Sequence, residues 1–523
     1  MSDSTAIIRA LVIYGIVLPM AILLGYLLVN LPDLDASSVF VVTLVLSILC
    51  LPLFLKWQHQ LLYMSWNTSA LIFFLPGHPE LWLFMALASF VIIMIQRALS
   101  PESLMNPVWF VLCPALFILM VVIATAYLNG GIHLGSLGSE SLGGRKYLYM
   151  IAAVIGFIAM TSLRIPENKT NFYIGAFFLG ALTNIFGDLI YFAGSWGSSF
   201  SFILYVFPAE VGQSYMDADA TSFRDPGVYR DYGLTVASTG ILFYILARFG
   251  IRGLLQGGLV KQLCTLVVVL GCLVGGFRSM LVLILLICFI MFWMEGLFRS
   301  KYVLVPLAAL MLCLPLAPYA DRLPLSIQRT LSVVPIIKVS PEARLSAQGS
   351  SEWRIEMWKT LLPQVPHYFW LGKGFESNTS EFISALITQS HGIGSGSETA
   401  AMSGDYHNGP LSVIIPFGIW GVIGWIWFLA AGLRALYLNH RYGPARLKTV
   451  NTFLLALFLA RIIMFLLVFG SSYSDLALFA GHIALSLSLN GGVRKAVQPP
   501  VRATGPIGRK FQYPARFAPG LLR

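Results

Sequence analysis

Charge is what this sequence lacks most. Only 11% of its 523 residues are charged, where soluble domains carry about 25%, and that shortage excludes a soluble globular enzyme. The parts of several common mechanisms are missing as well. No Gly-rich phosphate loop follows a strand, no Ser stands in a nucleophile elbow and no HExxH pair is present, so soluble NTPase and hydrolase chemistries have no residues to run on. The six cysteines, Cys50, Cys113, Cys264, Cys272, Cys288 and Cys313, all fall inside apolar runs. None lies in a polar loop where an oxidising compartment would pair it, so they read as small core residues with no disulfide or zinc framework.

What is abundant is apolar sequence, at 57% of the chain. A membrane crossing needs roughly 20 such residues. Runs bounded by charge or turn residues fall at 7–30, 38–55, 61–75, 81–95, 107–128, 147–163, 172–194, 232–248, 262–275, 280–297, 303–319, 409–433, 451–469 and 475–489. The expected fold is an all-α integral membrane protein, a polytopic bundle of about fourteen transmembrane helices with a large external loop. The first run has no small-residue cleavage site after it and reads as an anchor, not a signal peptide.

Alternate loops differ in charge. The set that contains both termini carries 21 Lys and Arg against four acids, and the other set carries 12 against 18. By the positive-inside bias both termini are cytoplasmic, so the net charge of +11 is a topological signal and implies no nucleic-acid partner. The expected organisation is N-terminal transmembrane helices over 1–194, an Arg-containing external segment and central helices over 195–319, and a large periplasmic loop over 320–408. C-terminal helices over 409–490 and a basic cytoplasmic tail over 491–523, suited to anionic headgroups, complete it.

Polar chemistry collects in the two long external segments. The stretch from Ser351 to Trp358 begins with a capping serine and an early glutamate and spaces Arg354 and Trp358 four apart, which predicts a short amphipathic helix on the membrane face. The run 391–397, rich in Gly and Ser, suits a lid or an access route. Arg224 and Arg230 lie just before the eighth run, and Arg278 sits at an external turn with apolar sequence on both sides. An arginine so placed is costly in lipid and is usually paired or functional. Several guanidinium groups beside apolar helices suit a lipid pyrophosphate, because the planar fork matches phosphate oxygens and stays charged.

The large loop ends in Asp405-Tyr406-His407-Asn408, and after nine residues come Gly418 and Gly421. His-Asn, nine residues, Gly, two residues, Gly resembles the pattern of the bacterial O-antigen ligases and is similar to that of the wider O-antigen ligase/polymerase superfamily. The order of the other features agrees with it over roughly 224–433: an external Arg segment, an Arg-Ser turn, then a loop with Arg-x3-Trp and Gly-Lys-Gly. The resemblance implies a metal-independent, inverting glycosyltransferase of the bacterial inner membrane, with a periplasmic active site and no cofactor. It would move a glycan from undecaprenyl pyrophosphate to a hydroxyl of a glycan or lipid acceptor, as a polymerase or a ligase, and a polysaccharide chain-length regulator is a further expected partner. The length and the additional N-terminal runs favour polymerase slightly. By position, Arg278 with Arg224 and Arg230 would hold the pyrophosphate, and His407 would sit at the reaction centre. There it would act as a base near its ordinary pKa of about 6.5 or as a pyrophosphate-binding cation. Arg354, Trp358, Tyr406 and Asn408 are candidate substrate contacts.

Two other readings stay open at this level. Asp217 and Asp219 form an Asp-x-Asp that could hold a divalent metal, although a solvated acidic face is the commoner reason for such a pair. Asp188, Arg461 and His482 fall inside apolar runs and read as a buried network or as the polar path of a polysaccharide flippase or secondary transporter. No internal repeat of the transporter kind is visible, and the polar residues concentrate outside the apolar runs.

Overall fold

The computed structural model describes residues 56–73, 75, 77–99, 104–129, 144–209, 231–375, 401–402 and 404–495, together with positions 25, 384 and 387. Among the described residues the regular structure is helical, with one isolated antiparallel bridge between Leu71 and Glu80. Residues 56–65 form α1. They are followed by α2 (Leu81–Leu99), α3 (Trp109–Asn129), α4 (Gly144–Thr161), α5 (Glu167–Phe192), α6 (Tyr232–Leu255), α7 (Leu259–Val274) and α8 (Arg278–Met294). After α9 (Leu304–Cys313), the large loop contributes α10 (Leu325–Leu331) and α11 (Pro341–Leu361). The chain then re-enters the bundle as α12 (Gly409–Tyr442), α13 (Lys448–Leu467) and α14 (Ser472–Asn490).

Six described helices are long and apolar enough to cross a membrane: α2, α3, α5, α6, α12 and α13 with its preceding turn, while α7 and α8 are shorter apolar helices. Their outward faces carry large apolar side chains such as Val260, Leu99 and Leu467, each more than 70% exposed. So much exposed hydrocarbon marks a lipid-facing surface. The expected crossings at 7–30 and 38–55, the basic tail beyond 495, and most of 376–400 lie outside the described residues.

Two expected crossings differ from a plain helix. The run 61–75 is helical only as far as residue 65 and continues as turn and extended chain. Its polar side chains compete for backbone partners: Asn67 donates to the Phe177 carbonyl at 2.7 Å, and Thr183 accepts from the Ser69 amide at 3.0 Å. The run 303–319 is α-helical through Cys313 and then tightens into a 3-10 helix over Leu314–Arg322 with Pro318 inside it, because proline cannot supply the amide that an α-helix needs.

Small residues set the packing at the centre. Trp66 lies between α4 and α14, where a Cβ on Gly156 or on Gly481 would overlap its ring, and its Nε1 donates to the Ala477 carbonyl at 3.0 Å. Close backbone approach of this kind is how helices gain contact where lipid is as apolar as the side chains. At the other end of α14, Asn439, Asn451, Ser486 and Asn490 join α12, α13 and α14 through side-chain bonds of 2.9 to 3.1 Å.

Helix α12 is broken at Gly418, whose φ of +62° is left-handed. The carbonyls that the break frees are not left bare. Lys373 and Gly374 donate their amides to Ile415 and Pro416 at 2.7 and 2.9 Å, and Ile419 donates to Phe369 at 2.7 Å. The Gly-Lys-Gly segment thus fills the break, as buried irregular backbone must be filled. A Cβ at position 418 would stand 2.7 to 2.8 Å from the carbonyl oxygens of Trp370 and Phe369. Gly418→Ala is therefore expected to destabilise the protein by about 1–3 kcal/mol, visible as a lower thermal unfolding temperature in detergent, whereas Gly253→Ala, with only the Phe249 Cβ at 3.5 Å, changes it little.

Candidate active site

Helix α11 is the bar on which the site is mounted. Ser340 caps it, accepting from the Ala343 amide at 3.3 Å, and Pro341 opens the first turn, where a missing amide costs nothing. The short helix expected at 351–358 is the second half of this longer one. Ser351 does not cap it: its hydroxyl lies mid-helix, donating to the Ala347 carbonyl at 3.2 Å, because the Pro341 start already supplies the N-terminus three turns earlier.

Two arginines from other elements meet α11. Arg278 opens α8 just after the left-handed Gly276 and donates from Nη2 to the hydroxyls of Ser350 and Ser351 at 2.9 and 3.0 Å. Arg329 of α10 is buried. It donates from Nε to Ser346 at 2.9 Å, from Nη1 to the Gly276 carbonyl at 2.9 Å and from Nη2 to Ser350 at 3.2 Å. Both guanidinium groups thus converge on one hydroxyl. Beside them is a cavity of about 260 Å3 lined by Arg278, Arg344, Gln348, Ser351 and Glu352 on one side and by Val334, Pro335, Ile337 and Val339 on the other.

One turn further along α11, about 5 Å on, Trp353 and Arg354 face His407. The imidazole lies between the rings of Trp353 and Phe469, at centroid distances of 5.2 and 5.1 Å, and the Arg354 guanidinium covers the same Phe469 ring at 5.6 Å. Nδ1 of His407 stands 3.7 Å from the Asp405 carboxylate, just beyond hydrogen-bond reach, a spacing that closes readily when a ligand tightens a site. Burial pushes the His407 pKa below its ordinary value; Asp405 opposes that, and the charges of Arg354 and Lys146 reinforce it. The net direction favours the neutral imidazole.

The neighbours of His407 have structural tasks. The Asn408 side chain caps α12, accepting from the Leu411 amide at 3.1 Å. Tyr406 is buried among Met357, Leu361, Leu411 and Ile415, and its carbonyl accepts from Trp358 Nε1 at 2.9 Å. Arg224 and Arg230 lie outside the described residues, as do Asp217 and Asp219. The described chain resumes at Asp231, which caps α6 by accepting from the Leu234 amide at 2.7 Å, and at Tyr232, which packs against Phe277 at 5.9 Å, next to Arg278.

Four residues of this site escape sequence reasoning: Arg329, Lys146, Trp353 and Phe469. Arg329 is one loop arginine among several, and Lys146 stands where a basic residue flanking a crossing is ordinary. The apolar flanks that single out Arg278 have no counterpart around either.

Residues 263–426 match the sequence profile of the O-antigen ligase family. This segment belongs to that family. It runs from α7 past the Gly418 break and holds Arg278, Arg329, Arg354 and His407, so the two clusters on α11 fall inside the matched region while Lys146 and Phe469 do not. The family joins the chain to membrane glycan transfer in polysaccharide assembly. No curated protein matches the chain.

Because Arg329 bridges the turn before α8 to Ser346 and Ser350 of α11, replacing it takes this donor from the buried Gly276 carbonyl and the Ser346 hydroxyl, while Ser350 keeps Arg278. Arg329→Met is expected to cost about 2–4 kcal/mol, read as a loss of thermal stability, with α11 exchanging its backbone amides faster in hydrogen-exchange measurements.

Proposed function

We propose that this chain transfers a glycan from a polyprenyl pyrophosphate carrier, undecaprenyl pyrophosphate in a bacterial inner membrane, to a sugar hydroxyl on the periplasmic side. The observation that carries the reading is that α11 holds Arg278 at Ser350 and Ser351 and, one helical turn further along, Trp353 against an aromatic-flanked His407. The cavity beside Arg278 and Arg344 would offer the diphosphate two guanidinium groups, with Ser351 as a further donor, and its apolar lining by Val334, Pro335, Ile337 and Val339 would suit the start of a prenyl chain. The alternation of loop charge supports the periplasmic placement and cytoplasmic termini.

In the reaction, Asp405 accepts from Nδ1–H of His407 and fixes the tautomer, which leaves the Nε2 lone pair for the acceptor hydroxyl. As that proton moves to Nε2, the acceptor oxygen attacks the anomeric carbon and the carbon–oxygen bond to the pyrophosphate breaks. The electron pair leaves with the pyrophosphate and its charge is met by fixed guanidinium groups, so the anomeric configuration inverts. Preorganised cations of this kind contribute a few kcal/mol each to the barrier. A neutral imidazole favours the base role over that of a pyrophosphate-binding cation. Extension of the chain well beyond the matched segment leans the reading toward polymerisation of lipid-linked repeat units, with ligation to a lipid acceptor the other outcome of the same chemistry.

The test gives purified protein the lipid-linked glycan that accumulates in cells lacking it, with and without a lipid acceptor, and resolves products by length. Polymerisation gives a ladder without added acceptor, and ligation gives a single new conjugate only with it. His407→Gln and Arg278→Gln are each expected to lower the rate at least 100-fold. Movement of the lipid-linked glycan across vesicles without any new glycosidic bond would mark a transporter and end the proposal.

A further inference from the structure

A second cluster of rings and polar groups lies at the His407 end of the bundle, on residues outside the matched segment. It is built where α2, α4 and α14 begin, with α4 packed against the other two. Glu80, just before α2, accepts from the Tyr149 hydroxyl of α4 at 2.8 Å and from the indole Nε1 of Trp82. A backbone hairpin brings the carboxylate there: the Ile72 amide donates to the Pro79 carbonyl at 2.9 Å and the Leu81 amide to the Ala70 carbonyl at 2.8 Å. The Tyr149 ring lies 5.6 Å from Trp82 and 6.1 Å from Tyr473 of α14, and the Arg145 guanidinium covers it at 5.4 Å. Trp82 is buried, whereas Glu80, Arg145, Tyr149 and Tyr473 each keep part of their surface accessible.

Rings at the end of a membrane bundle commonly form a belt in the headgroup layer. Such a belt needs no carboxylate between its rings, and a carboxylate repels the phosphates of that layer. It suits hydroxyls instead. A carboxylate has about four acceptor positions, and the bonds from Tyr149 and Trp82 use two of them. Aromatic surface beside a few fixed polar groups is what a sugar requires, since its C–H face packs on a ring while its hydroxyls bond at the edge.

The cluster also adjoins the reaction centre. The Lys146 side chain rests on the Tyr473 ring at 4.7 Å, and its Nζ would lie 3.9 Å from a Cβ on Gly404, in the turn that leads to His407. Helix α11, which carries the partners of Arg278, meets His407 through Trp353. One turn is thus bordered by two sets of elements, one bearing the guanidinium groups and the other these rings. We propose that Tyr149 and Tyr473, with Glu80 and Arg145 beside them, bind the acceptor glycan, stacking a sugar close to the one whose hydroxyl meets His407. This rests on the glycan-transfer reading and adds to it an acceptor site on helices other than those that hold the diphosphate.

The probe that tests it is the oligosaccharide released by mild acid from the lipid-linked glycan that accumulates in cells lacking the protein, which carries the sugars and no pyrophosphate. Its binding to the full-length protein in nanodiscs is followed by saturation-transfer NMR. Saturable binding is expected, weakened about 10-fold in Tyr149→Leu, by about two- to tenfold in Glu80→Gln, and little in Tyr149→Phe, which keeps the ring. Tyr127→Leu, which removes a ring that is 88% exposed on α3, leaves binding unchanged. In the product assay Tyr149→Leu raises KM more than it lowers kcat. If Tyr149→Leu does not fold, Tyr473→Leu is read in the same way. No saturable binding by the wild-type protein overturns the proposal, as does binding that neither the Leu variants nor Glu80→Gln weaken, or that Tyr127→Leu weakens as much. The binding measurement needs no turnover, so a protein that binds the oligosaccharide at these residues but forms no glycosidic bond loses the transfer reading and keeps the glycan site.

Discussion

The arrangement depends on one buried guanidinium. Arg329 reaches the Gly276 carbonyl on one side and Ser346 and Ser350 on the other, and in doing so fastens a polar helix to the turn between two apolar ones. Helix α11 buries its large apolar residues in its C-terminal half, where Met357 and Leu361 join Tyr406 and Leu411, and only the small Ala343 and Ala347 in its N-terminal half. Its N-terminal half has to be held by directional bonds. Charge-assisted hydrogen bonds of about 1.5–3 kcal/mol each suit that task because, unlike apolar burial, they fix the helix's rotation as well as its distance. With the rotation fixed, Ser350 and Ser351 face Arg278 while Trp353 and Arg354 face His407.

That fixed rotation makes the cluster of cations useful for chemistry. Bringing positive charges together away from bulk water is unfavourable unless each is engaged by dipoles or partners. Here Arg329 is engaged by a carbonyl and two hydroxyls, Arg278 by two hydroxyls, and Lys146 and Arg354 by aromatic faces. Hydroxyls and rings fix where each cation sits. On the proposed glycan-transfer reading, groups fixed in this way meet a developing anion with little reorganisation, which is where preorganised sites gain their advantage.

Much of this was legible in the sequence, and what was not has physical reasons. Poverty of charge and recurrent apolar runs announced a helical membrane protein. The spacing from His407 to Gly418 was legible because it records two backbone demands: an N-cap at Asn408 and a left-handed break nine residues into the helix. Arg278 stood out because its flanks are apolar. The helix start at Pro341 was obscured by a second serine-glutamate pair at Ser351 and Glu352 that looks locally like a cap, and only the tertiary contact with Arg278 shows what that serine does. The partial unwinding of the run 61–75 was hidden for a similar reason, since Asn67 and Ser69 find their partners on α5, more than a hundred residues away. Lys146 had no local signature at all: a lysine at the end of an apolar run is ordinary until the fold closes Tyr473 and Phe375 around it.

His407 itself shows why the surroundings must be rigid. A non-glycine residue at a φ of +47° is held in a conformation that costs about 1–2 kcal/mol, so something must prevent the turn from relaxing. On its N-terminal side the Tyr406 ring is buried and its carbonyl is fixed by Trp358; on its C-terminal side the Asn408 side chain is committed to capping α12. Neither anchor can move without exposing an aromatic ring or leaving a helix end uncapped, so the strain falls on the residue between them. The result is an imidazole projected from a chain reversal toward α11 instead of lying along the bundle surface. Tyr406 and Asn408 thus act through the backbone, setting where His407 points, while its burial and then the charges around it bias its protonation.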